Sequence, residues 1–189
     1  MTRLEFARER IEKYGPNYWA RARMANLVIG EWCHIDQSVT LGGQGFGYER
    51  DEKGVPLHIP HTGGIKIGNR VDILEGTNIA RGTIGDTSIG DDTKIDAFVH
   101  VAHNVKIGER CLITAGVIIG GSCEIGNDVF IGLNATIKNH VKIGNNVTIG
   151  CGANVIDDVP DGVTVAGNPA RIIKQKHQDL KRTDLNWVG

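Results

Sequence analysis

From Ile89 onward an aliphatic residue recurs at every sixth position, through Ile95, Val101, Ile107, Ile113, Ile119, Ile125, Ile131, Ile137, Ile143, Ile149 and Val155. A run this long excludes chance. Four residues after each aliphatic position comes a small or β-branched one: Val105, Cys111, Val117, Cys123, Val129, Ala135, Val141, Val147 and Ala153. Glycine often follows the aliphatic residue directly, as at Gly108, Gly120, Gly126, Gly132, Gly144 and Gly150. A period of six matches neither the 3.6 of a helix nor the 2 of an isolated strand. It suits a short strand plus a corner, three of which close a triangular coil of about 18 residues. Each aliphatic side chain then points to the axis, and successive coils stack at about 4.8 Å. Every residue should therefore lie over the one 18 positions earlier.

The same phase appears at Ile29, Ile35 and Leu41 and again at Ile67, Ile73 and Ile79, making about six coils. The predicted fold is all-β, a left-handed parallel β-helix of hexapeptide repeats with short terminal helices and one extruded loop. Residues 1–27 read as an N-terminal helical cap, 28–166 as the β-helix, and 167–189 as a C-terminal turn and helix. Two interruptions break the phase. Residues 42–64 carry no hexapeptide phase and read as the extruded loop. Between Ile79 and Ile89 the spacing is ten, which reads as two sides, one with a shortened corner, in ARGTIGDTS. At the ends, Leu4, Ala7 and Ile11 have helical spacing, and 172–183 reads as a second helix with Ile172 and Ile173 on one side. Both helices would cap open strand edges.

Composition fits this picture. The 26 glycines and 5% aromatics suit an architecture of many tight corners. A formal charge of −1 argues against a nucleic-acid partner or a charged membrane surface. The charged N-terminal stretch holds no apolar run that reads as a signal peptide or span, which favours the cytoplasm. Cys33, Cys111, Cys123 and Cys151 lie in no CxxC pair and are expected to be buried, reduced and chemically unimportant.

A prism of aliphatic ladders has no natural cleft, so chemistry must sit on its outside or between subunits. The informative stretch is VHVAHNV, Val99–Val105. His103 follows the inward Val101 by two residues and should point outward. One coil on lies Gly121, and another on lies Asn139; the neighbouring column reads Asn104, Ser122, His140. The missing side chain at Gly121 would leave room for a ligand to approach the backbone. Such a strip suits acyl transfer from a thioester, with imidazole as the base and the Gly121 N–H as oxyanion donor. His100 reads as a packing or orienting residue, and His34, His58, His61 and His177 as structural or solvent-exposed. Metal binding through three histidines, as in the gamma-type carbonic anhydrases on this fold, needs two His five residues apart. No such pair occurs, and no metal is expected.

With those residues in view, the central stretch resembles the UDP-3-O-acylglucosamine N-acyltransferase family of lipid A synthesis. The likeness runs from about Gly45 to Gly144 through GFGYERDEKGVPLHIP, IARGTIGDT, IDAFVHVAHNVKIG, IIGGS and IKNHVKIG. The resemblance implies that His103 is the catalytic histidine, that Gly121 matches the glycine of the family's AGS segment, and that His140 touches substrate. It also matches Asp96 to a family Asp, while Ala97 stands where that family usually has Asn. The family's uridine-binding domain has no counterpart in residues 1–27. A second likeness is VTVAGNPAR, Val163–Arg171, similar to the terminal motif of hexapeptide acetyltransferases, where this turn borders acetyl-CoA. It points to Ala166, Gly167, Asn168, Pro169 and Arg171 as cofactor contacts. The same Asn168-Pro169 pair reads equally well as the turn that ends a β-helix.

Both families are homotrimers with sites between neighbouring prisms, which implies that His103 faces an adjacent subunit. Lys138, Lys142, Arg171 and Lys174 would then meet cofactor phosphates. The resulting reading is an acyltransferase moving an acyl group, most readily acetyl, from a thioester to the amino group of a nucleotide-linked sugar. No cofactor is held permanently; acetyl-CoA, or else an acyl carrier protein thioester, is the cosubstrate. The alternatives are a lipid A type N-acyltransferase using the carrier protein, an O-acetyltransferase, and a non-catalytic β-helix subunit for assembly.

Overall fold

The computed structural model describes residues 2–14 and 26–175. The repeat folds as a parallel β-helix with three faces. The first face stacks Leu27–Ile29, Ile65–Ile67, Thr87–Ile89, Lys106–Ile107, Glu124–Ile125 and Lys142–Ile143. The second begins at His34–Ile35 and runs through Asp72–Ile73, Lys94–Ile95, Leu112–Ile113, Phe130–Ile131 and Thr148–Ile149 to Val163–Ala166. The third runs from Thr40–Gly43 through Asn78–Ala80, His100–Val101, Ile118–Ile119 and Thr136–Ile137 to Asn154–Val155. Register is the expected one: Ile95 pairs with Ile113, and Ile113 with Ile131. Ile73, Ile79, Val101, Ile119, Ile131 and Ile149 are wholly buried, so the phased side chains form the core. In the first coil Ile29 is exposed and Ile35 and Leu41 only half-buried, because no described coil lies beyond them.

Corners divide their requirements between two positions. The left-handed slot is filled by Asp92, Phe98, Asn104, Arg110, Ser122, Asp128, Asn134, His140 and Asn146, with φ between 55° and 66°. Asn and Asp tolerate that conformation best, and for Phe98 it is costly. The glycines that follow the aliphatic residues serve a different need: a Cβ on Gly126 would lie 2.7 Å from the carbonyl carbon of Gly144 in the next coil. They have no positive φ and supply close approach between coils.

Both interruptions lie on one edge. Ile79 sits on the third face and Ile89 on the first, which are adjacent, so ten residues replace six. Asp72 accordingly pairs with Lys94, four residues beyond the regular register. The corner is lengthened, whereas the spacing had been read as two sides with a shortened corner. The segment after Leu41 also leaves the third face and re-enters on the first at Ile65. It forms an antiparallel hairpin, Tyr48–Arg50 with Pro56–His58, and returns through a buried base of Ile59, Pro60 and His61.

At the N-terminus, helix Arg3–Tyr14 starts in a capping box: the Glu5 N–H donates to Thr2 Oγ1 (3.1 Å) and the Thr2 N–H to Glu5 Oε2 (2.7 Å). It packs against the hairpin, where Arg8 meets Glu52 at 2.6 Å. At the other end Arg171–Gln175 is a strand antiparallel to Val163–Ala166, where a helix over 172–183 was expected. The turn at 167–170 lets the chain pair back on the last strand of the second face, and the rest of that predicted helix lies outside the described residues.

Candidate active site

Three corners stack on the edge between third and first faces: the hairpin, the lengthened corner after Ala80, and the tight corner Ala102–Asn104. They are tied together in sequence. Thr62 and Gly63 donate their N–H groups to the carbonyls of Thr83 and Gly82, both at 2.9 Å. The Thr83 N–H donates to Asn104 Oδ1 (2.7 Å), and the Asn104 N–H to Thr87 Oγ1 (3.0 Å). Asn104 Nδ2 donates to Thr83 Oγ1 at 3.0 Å and stands 3.1 Å from His103 Nδ1. The inserted residues thus form a floor beneath His103.

Stacking on the other side is as expected. The Ser122 N–H donates to the His103 carbonyl, and the His140 N–H to the Gly121 carbonyl, both at 2.9 Å. The columns His103, Gly121, Asn139 and Asn104, Ser122, His140 are therefore real. The space over Gly121, however, is taken by His103 itself. A Cβ on Gly121 would lie 2.8 Å from both Cε1 and Nε2 of the imidazole, so this glycine makes room for the ring and not for a ligand. No acceptor among the described residues takes the Gly121 N–H.

The ring is enclosed from the hairpin side too. A Cβ on Gly45 would come within 2.6 Å of His103 Cδ2 and of His61 Nε2, so the glycines of GFG allow the hairpin to close over two imidazoles. His61 lies edge-on to His103, with centroids 4.8 Å apart. His61 Nδ1 donates to the Ile59 carbonyl (2.7 Å), and Gln44 Oε1 accepts the His61 N–H (2.8 Å). A file of rings continues outward from His61 through His58 and Tyr48 to the exposed Phe46. His61 had been assigned to the structural or exposed histidines; it is fully buried beside the base candidate.

Burial, and next the neighbouring His103, press His61 down to about 4. Unfolded, it titrates near 6.5, so between those values the unfolded chain binds the extra proton. His61 should therefore contribute full stability above pH 6.5 and progressively lose it down to about pH 4, by roughly 3 kcal/mol. Burial also lowers His58 and His100, so the His61→Gln variant isolates the effect. Denaturant midpoints measured from pH 7.5 to 4 should fall less steeply for that variant; equal slopes would assign the acid lability elsewhere.

Of the remaining predicted residues Ser122 joins this core and the others lie apart from it. Ser122 Oγ is 3.5 Å from Asn104 Nδ2, while His140 is exposed one coil above. Asp96 sits on the edge between second and third faces, where its oxygens accept the N–H groups of Ala97 (2.8 Å) and Ala115 (3.1 Å). Within one chain it is a corner cap, not a neighbour of His103. Ala166, Gly167, Asn168, Pro169 and Arg171 form the closing turn, in which Asn154 Nδ2 donates to Asn168 Oδ1 (3.0 Å). Arg171 stands 3.5 Å from Asp157, which falls on the His103 edge three coils further on, about 14 Å away at the interstrand spacing. Lys138, Lys142 and Lys174 are exposed.

Among the cysteines Cys111 and Cys123 are buried, and burial raises both thiols. Cys33 is half-buried and Cys151 exposed, contrary to expectation, because Cys151 occupies an outward corner position. Among the described residues no group of three His, Cys, Asp or Glu side chains is placed to hold a metal. A shallow hollow lined by Lys106, Glu124, Lys142 and Asp158 lies on the first face, carries both charge signs and includes neither His103 nor Gly121. No helix among the described residues is long and apolar enough to cross a membrane.

Residues 86–121 and 122–157 match the bacterial transferase hexapeptide family of six repeats. Repeat and coil together define the class: the chain is a hexapeptide-repeat parallel β-helix whose central repeats are similar to those of that family. Within that class it is similar to UDP-3-O-acylglucosamine N-acyltransferases. It is 47% identical over 156 residues to that enzyme of Caulobacter vibrioides (82% of this chain, 46% of the relative). A probable mitochondrial UDP-3-O-acylglucosamine N-acyltransferase of Arabidopsis thaliana is 47% identical over 90 residues (48% of this chain, 30% of the relative). The chain thus spans under half the length of either relative. The solved UDP-N-acetylglucosamine O-acyltransferase of Moraxella catarrhalis shares the fold at TM-score 0.72 and 26% identity, over 79% of this chain and 56% of that one. A perosamine N-acetyltransferase variant of Caulobacter crescentus, solved with CoA and GDP-perosamine, shares the fold alone, at 0.55 and 21% over 78% and 58%.

Proposed function

We propose that this protein is an acyltransferase that moves an acyl group from a thioester to the amino group of a nucleotide-linked sugar, with His103 as general base. The observation that carries the reading is the imidazole laid across Gly121, beside a backbone N–H that no acceptor among the described residues takes. A base and an oxyanion donor on adjacent coils are what aminolysis of a thioester requires. The base takes the proton as the amine attacks, and the N–H steadies the charge that forms on the carbonyl oxygen. The 47% identity to an N-acyltransferase over most of this chain supports an amine acceptor.

Acetyl-CoA is the favoured donor. The Arg171 guanidinium, 3.5 Å from Asp157, reaches from the closing turn to the edge that carries His103, about 14 Å from it at the interstrand spacing, a span suited to an extended pantetheine arm between nucleotide and thioester. A homotrimer fits the apolar edge between second and third faces, where Phe98 is 68% exposed in a costly left-handed conformation and Leu112 and Ile118 are exposed on the flanking faces. Asp96 lies on that same edge, so only a neighbouring copy would bring it towards His103. Crystals soaked with CoA should show density against 166–171 with the thiol end towards His103. Empty density together with binding of acyl carrier protein would transfer the donor role to the carrier, and a protein that consumes neither thioester would be an assembly subunit.

A further inference from the structure

Which nitrogen of His103 carries its proton follows from two hydrogen bonds of Asn104. The Thr83 backbone N–H can only donate, so the Asn104 atom 2.7 Å from it must be the carbonyl oxygen. The Asn104 amide nitrogen is then the atom 3.1 Å from His103 Nδ1. Two donors cannot face each other at that distance, so Nδ1 offers its lone pair. Turning the amide over would set its NH₂ against the Thr83 N–H. The floor built by the lengthened corner therefore decides the chemistry of the ring above it.

We infer that Asn104 is a positioning residue that holds neutral His103 with its proton on Nε2, so that the unliganded site presents an N–H towards Gly121 instead of a basic lone pair. Nε2 is one of the two ring atoms nearest the Gly121 Cβ direction, and Nδ1 is covered by Asn104. Base action at Nε2 requires the Nε2 proton to leave to water and a proton to arrive on Nδ1, with no net change in charge. That exchange requires the Asn104 amide to let go of Nδ1. The mechanistic consequence rests on the base role proposed above; the tautomer does not.

The test is ¹⁵N NMR of the full chain labelled in its histidine rings, at a pH where His103 is neutral, with the His103 signals identified by their loss in His103→Gln. The expected spectrum shows Nε2 at the position of a protonated ring nitrogen and Nδ1 at that of a bare one. Asn104→Asp should reverse the pair, because one carboxylate oxygen still accepts from Thr83 while the other accepts from Nδ1–H. An Nδ1–H tautomer in the unliganded native chain, or an unchanged one in folded Asn104→Asp, overturns the inference. The spectra report the tautomer whether or not any acyl group is transferred, and thioester consumption by the native chain reports the acyl-transfer reading separately.

Discussion

His103→Ala is expected to lower thioester consumption by the purified protein about 10²- to 10⁴-fold, the range a positioned general base supplies. The loss should fall on turnover, because no described side chain that touches the ring replaces the imidazole. His61 is held neutral by burial and donates its Nδ1 proton to Ile59, and Ser122 and Asn104 carry no group that takes up a proton near neutrality. Folding should survive. His103 lies outside the aliphatic core, and the backbone bond from the Ser122 N–H to its carbonyl does not depend on the side chain. Consumption unchanged in a folded variant would exclude His103 as the base and leave the hexapeptide coil without an acyl-transfer mechanism at this edge.

Much of this edge was legible in the chain. The aliphatic phase places each residue over the one 18 positions earlier, so the pairing of His103 with Gly121 and of Asn104 with Ser122 follows from counting. Counting fails where the phase fails. A spacing of ten between Ile79 and Ile89 is equally six plus four or twelve less two, and only the pairing of Asp72 with Lys94 decides between them. That choice matters, because four extra residues are what bring Thr83 under Asn104. His61 was out of reach for a related reason: it lies in a segment with no periodicity, and its burial depends on the hairpin folding back over Gly45, a tertiary event no local pattern records. Gly121 was legible as a place, one coil from His103, but not as the position against which the ring lies. An absent side chain shows that something comes close, and the neighbour turns out to be the catalytic candidate itself.

That distinction sets up a sharper test than removing the imidazole. Gly121→Ala should leave the coil folded, since Gly121 is not in the left-handed region that penalises alanine. Its added methyl, however, would stand 2.8 Å from Cε1 and Nε2 of His103, inside normal contact distance. The ring cannot retreat towards the hairpin, because Gly45 and His61 close that side, nor sideways without giving up Asn104. It must swing outward, carrying the basic nitrogen away from the acyl carbon. A misplacement of about 1 Å in a reacting group costs on the order of 10²-fold in rate, so turnover should fall by about that factor with little change in thermal stability. A vacancy for ligand at Gly121 would instead make the same methyl a competitor for substrate, raising KM with turnover preserved. Steady-state kinetics of this one variant therefore separate a glycine that seats the base from a glycine that seats the ligand.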